Sequence, residues 1–446
     1  MTMHPQATAA APEREADDSA GQTAEGPRVV TFGCRLNAYE SEVMLQQARA
    51  AGLDDALIVN SCAVTGEAER QARQAIRRAK RDNPHARVVV AGCAAQLHPE
   101  SFADMPEVER VLGNQAKLRP ESYAPDLDTG GPGKIVVDDI MQAEETAAHL
   151  LPGFETKTRA FVQIQQGCDH RCTFCIIPFA RGNNRSVPVG ELVRQVRYMV
   201  AHGVREVVLT GVDITDYGTD LPGQPTLGGL CRRLLNLVPE LPRLRLSSVD
   251  PLELDDTVLD LLANEPRLMP HLHLSLQAGN DLVLKRMRRR HVMADARRTV
   301  ERARAARPDV VFGADVIAGF PTEDAAMFAE TLAAVTTLDL TFLHVFPYSE
   351  RPGTPAARMP QVPKPTRKQR AAELRAAGAA AMARFFRQQV GRQVEVLLEE
   401  ADAHGRMKGR TPHFAPVRVV GGGDIGAVVP VRITHAGDDH LIGEAI

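Results

Sequence analysis

Residues 163–182 read QIQQGCDHRCTFCIIPFARG, which sets Cys168, Cys172 and Cys175 in a C-x₃-C-x₂-C spacing. A cubane iron–sulfur cluster has four irons, each commonly capped by a thiolate. Three thiolates within eight residues would leave one iron open to a small molecule. The alternative occupant is structural zinc, with His170 as fourth ligand. Zinc motifs usually pair two Cys or His halves some distance apart, and no second half follows here.

Outward from this segment a repeating β/α pattern emerges. Strand candidates at Ala160–Gln165, Glu206–Thr210, Arg243–Ser248, His271–Leu276, Val310–Ala318 and Thr341–Phe346 are separated by helical stretches such as Gly190–His202 and Ala294–Ala306. The pattern predicts a partial (β/α)₆ barrel over residues 154–385, with its site at the strand C-terminal face. The cysteines fall just after the first strand.

Upstream, residues 28–140 predict a small parallel α/β domain. Its strand candidates Arg28–Phe32, Ala56–Asn60 and Arg87–Ala91 are each followed almost at once by a cysteine: Cys34, Cys62 and Cys93. Parallel strands end along one edge, so three thiols at three such ends can converge. Three independently buried structural cysteines would not explain the shared place in the repeat. Cys231 has no partner spacing and reads as a packed helix residue.

Downstream, the proline-rich stretch Pro352–Pro365 and a helix from Thr366 to about Gln389 lead into residues 388–446. There the segments VEVLLEE, APVRVVG, AVVPVRITHA and HLIGEAI predict a small all-β barrel.

The 44% hydrophobic and 24% charged composition reads as that of a soluble globular protein, and no apolar run is long enough to span a bilayer. Residues 1–27 are expected to be a disordered acidic tail. With no signal-peptide core the chain is expected in the cytoplasm, where seven cysteines point to metal or redox chemistry rather than disulfides. The tail's one Arg and five acidic residues give −4 of the total −3, leaving about +1 for the rest. A nucleic-acid surface would therefore have to come from local clusters.

With the motifs TFGCRLNAYESE, IVNSCAVTGEAERQAR, VVVAGCAAQ, QQGCDHRCTFCIIPFARG, LTGVDITDYG, LSSVDP, HLHLSLQAGNDLVLKRMRRRH and DVIAGFPTED in view, the chain resembles the radical S-adenosylmethionine (SAM) methylthiotransferases. These enzymes insert sulfur into an unreactive C–H bond and cap it with a methyl group. The resemblance covers nearly everything after the tail. It implies that Cys168, Cys172 and Cys175 hold a [4Fe–4S] cluster whose open iron chelates SAM, and that an electron cleaves the sulfonium to a 5′-deoxyadenosyl radical. It further implies that Cys34, Cys62 and Cys93 hold a second, auxiliary [4Fe–4S] cluster with one iron open for the sulfur to be delivered.

By motif, Phe174 would lie near the adenine and Gly211 near the methionyl amino group. Ser275, Gln277 and Asp315, expected near strand ends, would meet ribose or substrate. The sequence departs from the family at Asp213, where close relatives often have Asn, and at Ser275, where many have Pro.

Within the family, GCRLN followed by AYE is nearest the branch acting on N6-threonylcarbamoyladenosine at position 37 of tRNA, beside the anticodon. The branches acting on isopentenyl-type adenosine and on a ribosomal protein usually carry GCQMN and GCPKN; these substrates are the alternatives. A third, from another class, is a non-catalytic RNA-binding protein whose cysteines hold zinc. The expected partners are the tRNA anticodon stem-loop, an electron donor such as a flavodoxin or ferredoxin, and a sulfur donor.

Charge placement gives separate expectations for RNA. Arg70, Arg73, Arg77 and Arg81 fall within about 80° on a helical wheel. Arg288 and Arg289 belong to a second basic cluster, Lys285–His291. The C-terminal barrel resembles a TRAM domain, a small RNA-binding module, although its six Lys and Arg against eight Asp and Glu give −2. Its GRMKGRTPHF segment sets Arg406, Lys408 and Arg410 beside Phe414, the cation–aromatic mix that RNA loops favour.

Overall fold

A computed structural model describes residues 26–124, 133–143, 158–402 and 405–446. The expected acidic tail lies outside the described residues up to position 25.

The N-terminal unit is a parallel sheet in the order β1 (Arg28–Thr31), β2 (Ala56–Ser61), β3 (Arg87–Gly92), β4 (Arg110–Leu112) and β5 (Ile135–Val136). All its pairings are parallel. β2 and β3 are almost wholly buried, as expected of apolar runs covered on both faces. Helices α1 (Arg35–Ala50) and α2 (Gly66–Asp82) make the crossovers, and α3 (Cys93–Leu97) and α4 (Pro99–Ala103) follow β3. α2 begins at Thr65, whose side chain accepts from Ala68 N, with Glu67 and Glu69 in its first turn and Lys80 and Arg81 in its last.

The central unit begins with β6 (Arg159–Gln163) and β7 (Gln165–Gln166), then α5 (Ile177–Arg181) and β8 (Arg185–Ser186). It continues through α6 (Val189–Ala201), β9 (Glu206–Thr210), α7 (Leu227–Leu237), β10 (Arg243–Leu246), β11 (Ser248–Val249) and α8 (Asp256–Asn264). It ends with β12 (His271–Gln277), α9 (Asp281–Met287), α10 (Met293–Ala306), β13 (Val311–Ala318), α11 (Ala325–Thr337) and β14 (Leu340–Pro347). β6, β9 and β10 pair in parallel, and β11 to β14 continue in parallel. Six strand positions in sequential order make the expected open arc. Two details differ. The third strand breaks at Ser247, and the first stops at Gln163, because β7 leaves it to pair antiparallel with β8.

The arc strands alternate, with register irregularities in β12 and near the start of β14. Ala160, Val162, Val207, Leu209, Leu244, Leu246, Leu272, Leu274, Ala314 and Val316 join the core under the helices. Arg159, Glu206, Arg245, His271, His273, Asp315 and His344 stand at the other parity, inside the arc. The barrel therefore has a polar, charged lumen.

Helix α12 (Lys364–Gln389) leads to five strands: β15 (Gln393–Ala401), β16 (Met407–Arg410), β17 (Pro416–Val420), β18 (Val428–Ala436) and β19 (Leu441–Ala445). They close in the order β15-β16-β17-β19-β18 around Val396, Leu398, Val417, Val419, Val431 and Ile433. Four strands were expected. The fifth, β16, is the GRMKGR stretch.

Candidate active site

Cys34, Cys62 and Cys93 follow the C-terminal ends of β1, β2 and β3, three neighbours in one parallel sheet. They come together as expected. Burial, then the charges of Cys34 and Cys93, push the Cys62 thiol up to about 12. Cys34 is reached by solvent, yet the protein around it and Cys93 also raise its thiol, against Arg181.

Thiols that disfavour one another's thiolates need a cationic occupant or partner. One is supplied. Arg181, the last residue of α5 and fully buried, donates from Nε to Cys93 Sγ at 3.2 Å. Its other nitrogens donate to Glu40 Oε1 and Oε2 at 2.8 Å each and to Asn37 Oδ1 at 2.7 Å. Lys117 Nζ completes the hub, 2.6 Å from Glu40 Oε2. Burial alone would raise Glu40, but Arg181 and Lys117 outweigh it and hold the carboxyl at about 2. Asn37 Nδ2 donates to Phe32 O at 2.7 Å and Ser61 O at 3.2 Å, tying together the chain after β1 and the end of β2.

The second triad sits on a loop whose base is closed by β7 and β8. Gln165 Nε2 donates to Gly167 O and Asn184 Oδ1, both at 2.6 Å, while its Oε1 accepts from Val212 N at 3.0 Å and Asp213 N at 2.9 Å. A Cβ on Gly211 would meet Gln165 Oε1 at 2.7 Å, so this glycine permits the approach of the cysteine loop to the β9 end. Burial and the Cys172 charge push Cys175 up to about 12. Cys168 is raised by burial and by Asp213.

Arg289 supplies the cation here. Its Nη1 lies 3.6 Å from Cys172 Sγ, and its Nη2 donates to Asp250 Oδ2 and Ser275 O. Its expected place among the RNA contacts is therefore corrected. α9 ends at Arg288 in the left-handed region (φ +59°), and the turn throws Arg289 back onto the cysteine loop while Arg288 stays exposed. His170 faces carboxylates, Nδ1 3.5 Å from Asp213 and Nε2 3.7 Å from Glu253.

Both triads accordingly fit a cluster with an open position: three convergent sulfurs, a buried cation at the sulfur, and no fourth cysteine among the described residues, since Cys231 is buried in α7.

Of the residues expected at SAM, Phe174 is half-buried and meets Phe320 edge-on at 6.4 Å. Ser275 is on the lumen parity near the end of β12, and Gln277 closes the strand past a register shift, at φ +67°. Asp315 lies in mid-strand instead, its Oδ1 3.0 Å from His273 Nε2 and 3.2 Å from His344 Nδ1. Burial opposes its ionisation, but His273 and then His344 bring its carboxyl well below the usual range.

Four guanidinium groups surround one ring of the C-terminal barrel. The Cζ atoms of Arg410, Arg245, Arg159 and Arg35 lie 4.2, 4.9, 5.3 and 5.6 Å from the Phe414 centroid. Arg35 is the residue after Cys34. Burial and Arg159 lower its guanidinium to about 10, with Asp315 opposing.

The other basic residues divide. Arg70 pairs with Glu67, and Arg73 donates to Ser101 O at 2.9 Å and covers Phe102, whereas Arg77 and Arg81 are exposed. Arg406 bonds Asp402 at 2.8 Å and Lys408 bonds Glu400 at 3.1 Å. Arg410 and Phe414 do not form an exposed RNA loop. They lie inside the domain junction, where Arg243 donates to Arg410 O and Arg245 to Pro412 O. Residues that sequence reasoning passed over are Glu40, Arg181, Gln165, His273, His344 and Arg35. For the histidines a signal existed in the alternation HLHLSLQ.

The sequence pattern of the Radical SAM superfamily matches residues 162–335, and that of "Uncharacterized protein family UPF0004" matches residues 28–113. The chain is 51% identical over 392 residues to the threonylcarbamoyladenosine tRNA methylthiotransferase MtaB of Rickettsia prowazekii, covering 88% of this chain and 90% of that one. It is 34% identical to the protein of the same name from Bacillus subtilis, covering 93% and 95%. It is 36% identical to a tRNA-2-methylthio-N(6)-dimethylallyladenosine synthase of Cereibacter sphaeroides, covering 94% and 98%. Among solved structures, a radical SAM methyltransferase, TsrM of Kitasatospora setae, shares the fold at TM-score 0.50 and 16% identity, over 72% of this chain and 70% of that one.

Proposed function

The chain belongs to the tRNA methylthiotransferases of the radical SAM superfamily, and from that premise we propose that it methylthiolates C2 of N6-threonylcarbamoyladenosine at position 37 of tRNA. The observation that carries the substrate is the 51% identity to a relative of that named activity, against 36% to one named for the dimethylallyl nucleoside. Family membership answers the zinc alternative at Cys168, Cys172 and Cys175, because a radical SAM enzyme uses a [4Fe–4S] cluster and SAM.

Cys168, Cys172 and Cys175 would hold that cluster, and Cys34, Cys62 and Cys93 a second one. When bound, the first with SAM supplies the radical that takes a hydrogen atom from the substrate carbon, and the second presents the sulfur. The protein's own groups prepare both places. Arg289 and Arg181 each set a guanidinium against one thiol of a triad, which offsets the anionic charge that thiolate ligation brings into a buried site. Gln165 holds the cysteine loop against the β9 end. The lumen, lined by His273, Asp315 and His344, offers hydrogen-bonding groups to a nucleoside.

Arg77 and Arg81, exposed on α2, and Arg288, exposed at the turn after α9, are assigned to tRNA phosphates. These would position the stem-loop without reading sequence. The reaction further requires a one-electron donor of the flavodoxin or ferredoxin kind and a sulfur source. A tRNA substrate assigns the reaction to the cytoplasm; no described helix is long and apolar enough to cross a membrane.

Nucleoside mass spectrometry of tRNA from a strain lacking the protein is the test. The 2-methylthio form should vanish while N6-threonylcarbamoyladenosine accumulates. An unchanged 2-methylthio level would sink the proposal.

A further inference from the structure

Arg35 is the cation of the lumen without a carboxylate of its own. Arg245 donates to both oxygens of Glu206, at 2.9 and 3.1 Å. Arg159 lies 2.9 Å from Glu399, and Arg410 reaches the other oxygen of the same carboxylate at 3.8 Å. Asp315, the remaining lumen acid, is engaged by two histidines. Among the described residues Arg35 has no hydrogen bond or ion pair, only the Phe414 ring at 5.6 Å.

Its position is equally particular. Arg159 on β6 and Arg245 on β10 share that ring with it. Strands β6 and β10 are not neighbours, since β9 lies between them. A side chain that meets residues of both at one ring lies inside the curve of the sheet. Arg35 thus reaches from the exposed Cys34 into the lumen. The region is open to solvent as well, because the Asp315 and His344 side chains are 21% and 28% exposed. Four guanidinium groups around one ring face Glu206, Glu399 and, more remotely, Asp315, which still leaves positive charge over, and a guanidinium with no hydrogen-bonded carboxylate of its own is the group that binds one bidentately.

We propose that Arg35 binds the free carboxylate of the substrate's threonyl group and so both selects the nucleoside and orients it beside Cys34. This rests on the substrate reading given above. A threonyl group joined to N6 through its amine keeps its α-carboxylate. C2 and C6 flank the same ring nitrogen of adenine, so fixing the N6 substituent also fixes the carbon to be thiolated.

The test is equilibrium binding by the full chain with its iron reconstituted and no reductant present. The probes are four synthetic anticodon stem-loops that differ only at position 37: N6-threonylcarbamoyladenosine, its threoninamide analogue, unmodified adenosine and isopentenyladenosine. For the native chain the amide should bind roughly ten- to a hundredfold more weakly than the carboxylate, as expected for loss of a charge-assisted pair. Arg35→Gln should bind both alike, at the level of the amide, and Arg35→Lys should keep a reduced preference.

Equal binding of carboxylate and amide by the native chain overturns the assignment, as does an undiminished preference in Arg35→Gln of native iron content. Should Arg35→Gln fail to fold, Arg35→Lys decides, and an unaltered preference there overturns it. A native chain that binds the unmodified or isopentenyl stem-loop as tightly as the threonylcarbamoyl one overturns the substrate reading itself, a result distinct from the others.

Discussion

Gly33 shows how much of the site depends on one absent methyl group. It holds φ +96° between β1 and Cys34, and a Cβ placed there would stand 2.6 Å from Cys62 Sγ. Gly33→Ala should displace one of the three convergent thiols while leaving the 168–175 loop intact. Iron analysis after anaerobic reconstitution should then fall from about eight to about four per chain; a variant still holding about eight would refute the reading. The neighbouring arginines teach a related lesson about legibility. Nothing in RMRRRH marks Arg289 as different from Arg288 or Arg290. Only the left-handed turn at Arg288 sends Arg289 to Cys172.

At the scale of elements, the six strands of the arc were readable because apolar residues recur every second position; Cys168, Cys172 and Cys175 were readable from their spacing, and Cys34, Cys62 and Cys93 from their place after strands. What strand parity could also have given is the polar lumen: HLHLSLQ puts its leucines under the helices and its histidines inside. β16 escaped because MKGR is short and half charged, so its pairing with β15 and β17 comes from the closed barrel and not from its own composition. Phe414 in turn read as a partner for RNA bases, when its ring is instead one of the contacts through which the C-terminal barrel joins the arc. Phe414→Ala should loosen that junction by about 1–2 kcal/mol, the loss of desolvated cation–π contacts. Hydrogen exchange should accelerate in β15–β19 while β1–β5 keep their protection. Uniform acceleration in both would argue against a local role.

For the whole molecule, Glu40 is a buried tie between units. Carried on α1 of the first sheet, it binds Lys117 of that unit and Arg181 and Gln166 of the barrel. Its folded value of about 2 lies below the ordinary 4.5. Its contribution is therefore full above 4.5 and is lost as the pH falls from there toward 2. Glu40→Gln leaves two buried cations short of their counter-charge and should cost about 3–5 kcal/mol at neutral pH. Urea unfolding of the two proteins should converge as the pH drops through that window. A gap that stayed constant down to pH 3 would contradict this account.

The five-residue α5 carries a further consequence. It starts two residues after Cys175 and ends on Arg181, whose guanidinium meets Cys93. Since a helix turns about 100° per residue, inserting or deleting a single residue in α5 would swing Arg181 off the first triad while leaving every thiol in place. The segment works as a ruler with a fixed phase. Its length, more than its composition, sets the phase at which the loop of one triad delivers a guanidinium to the other.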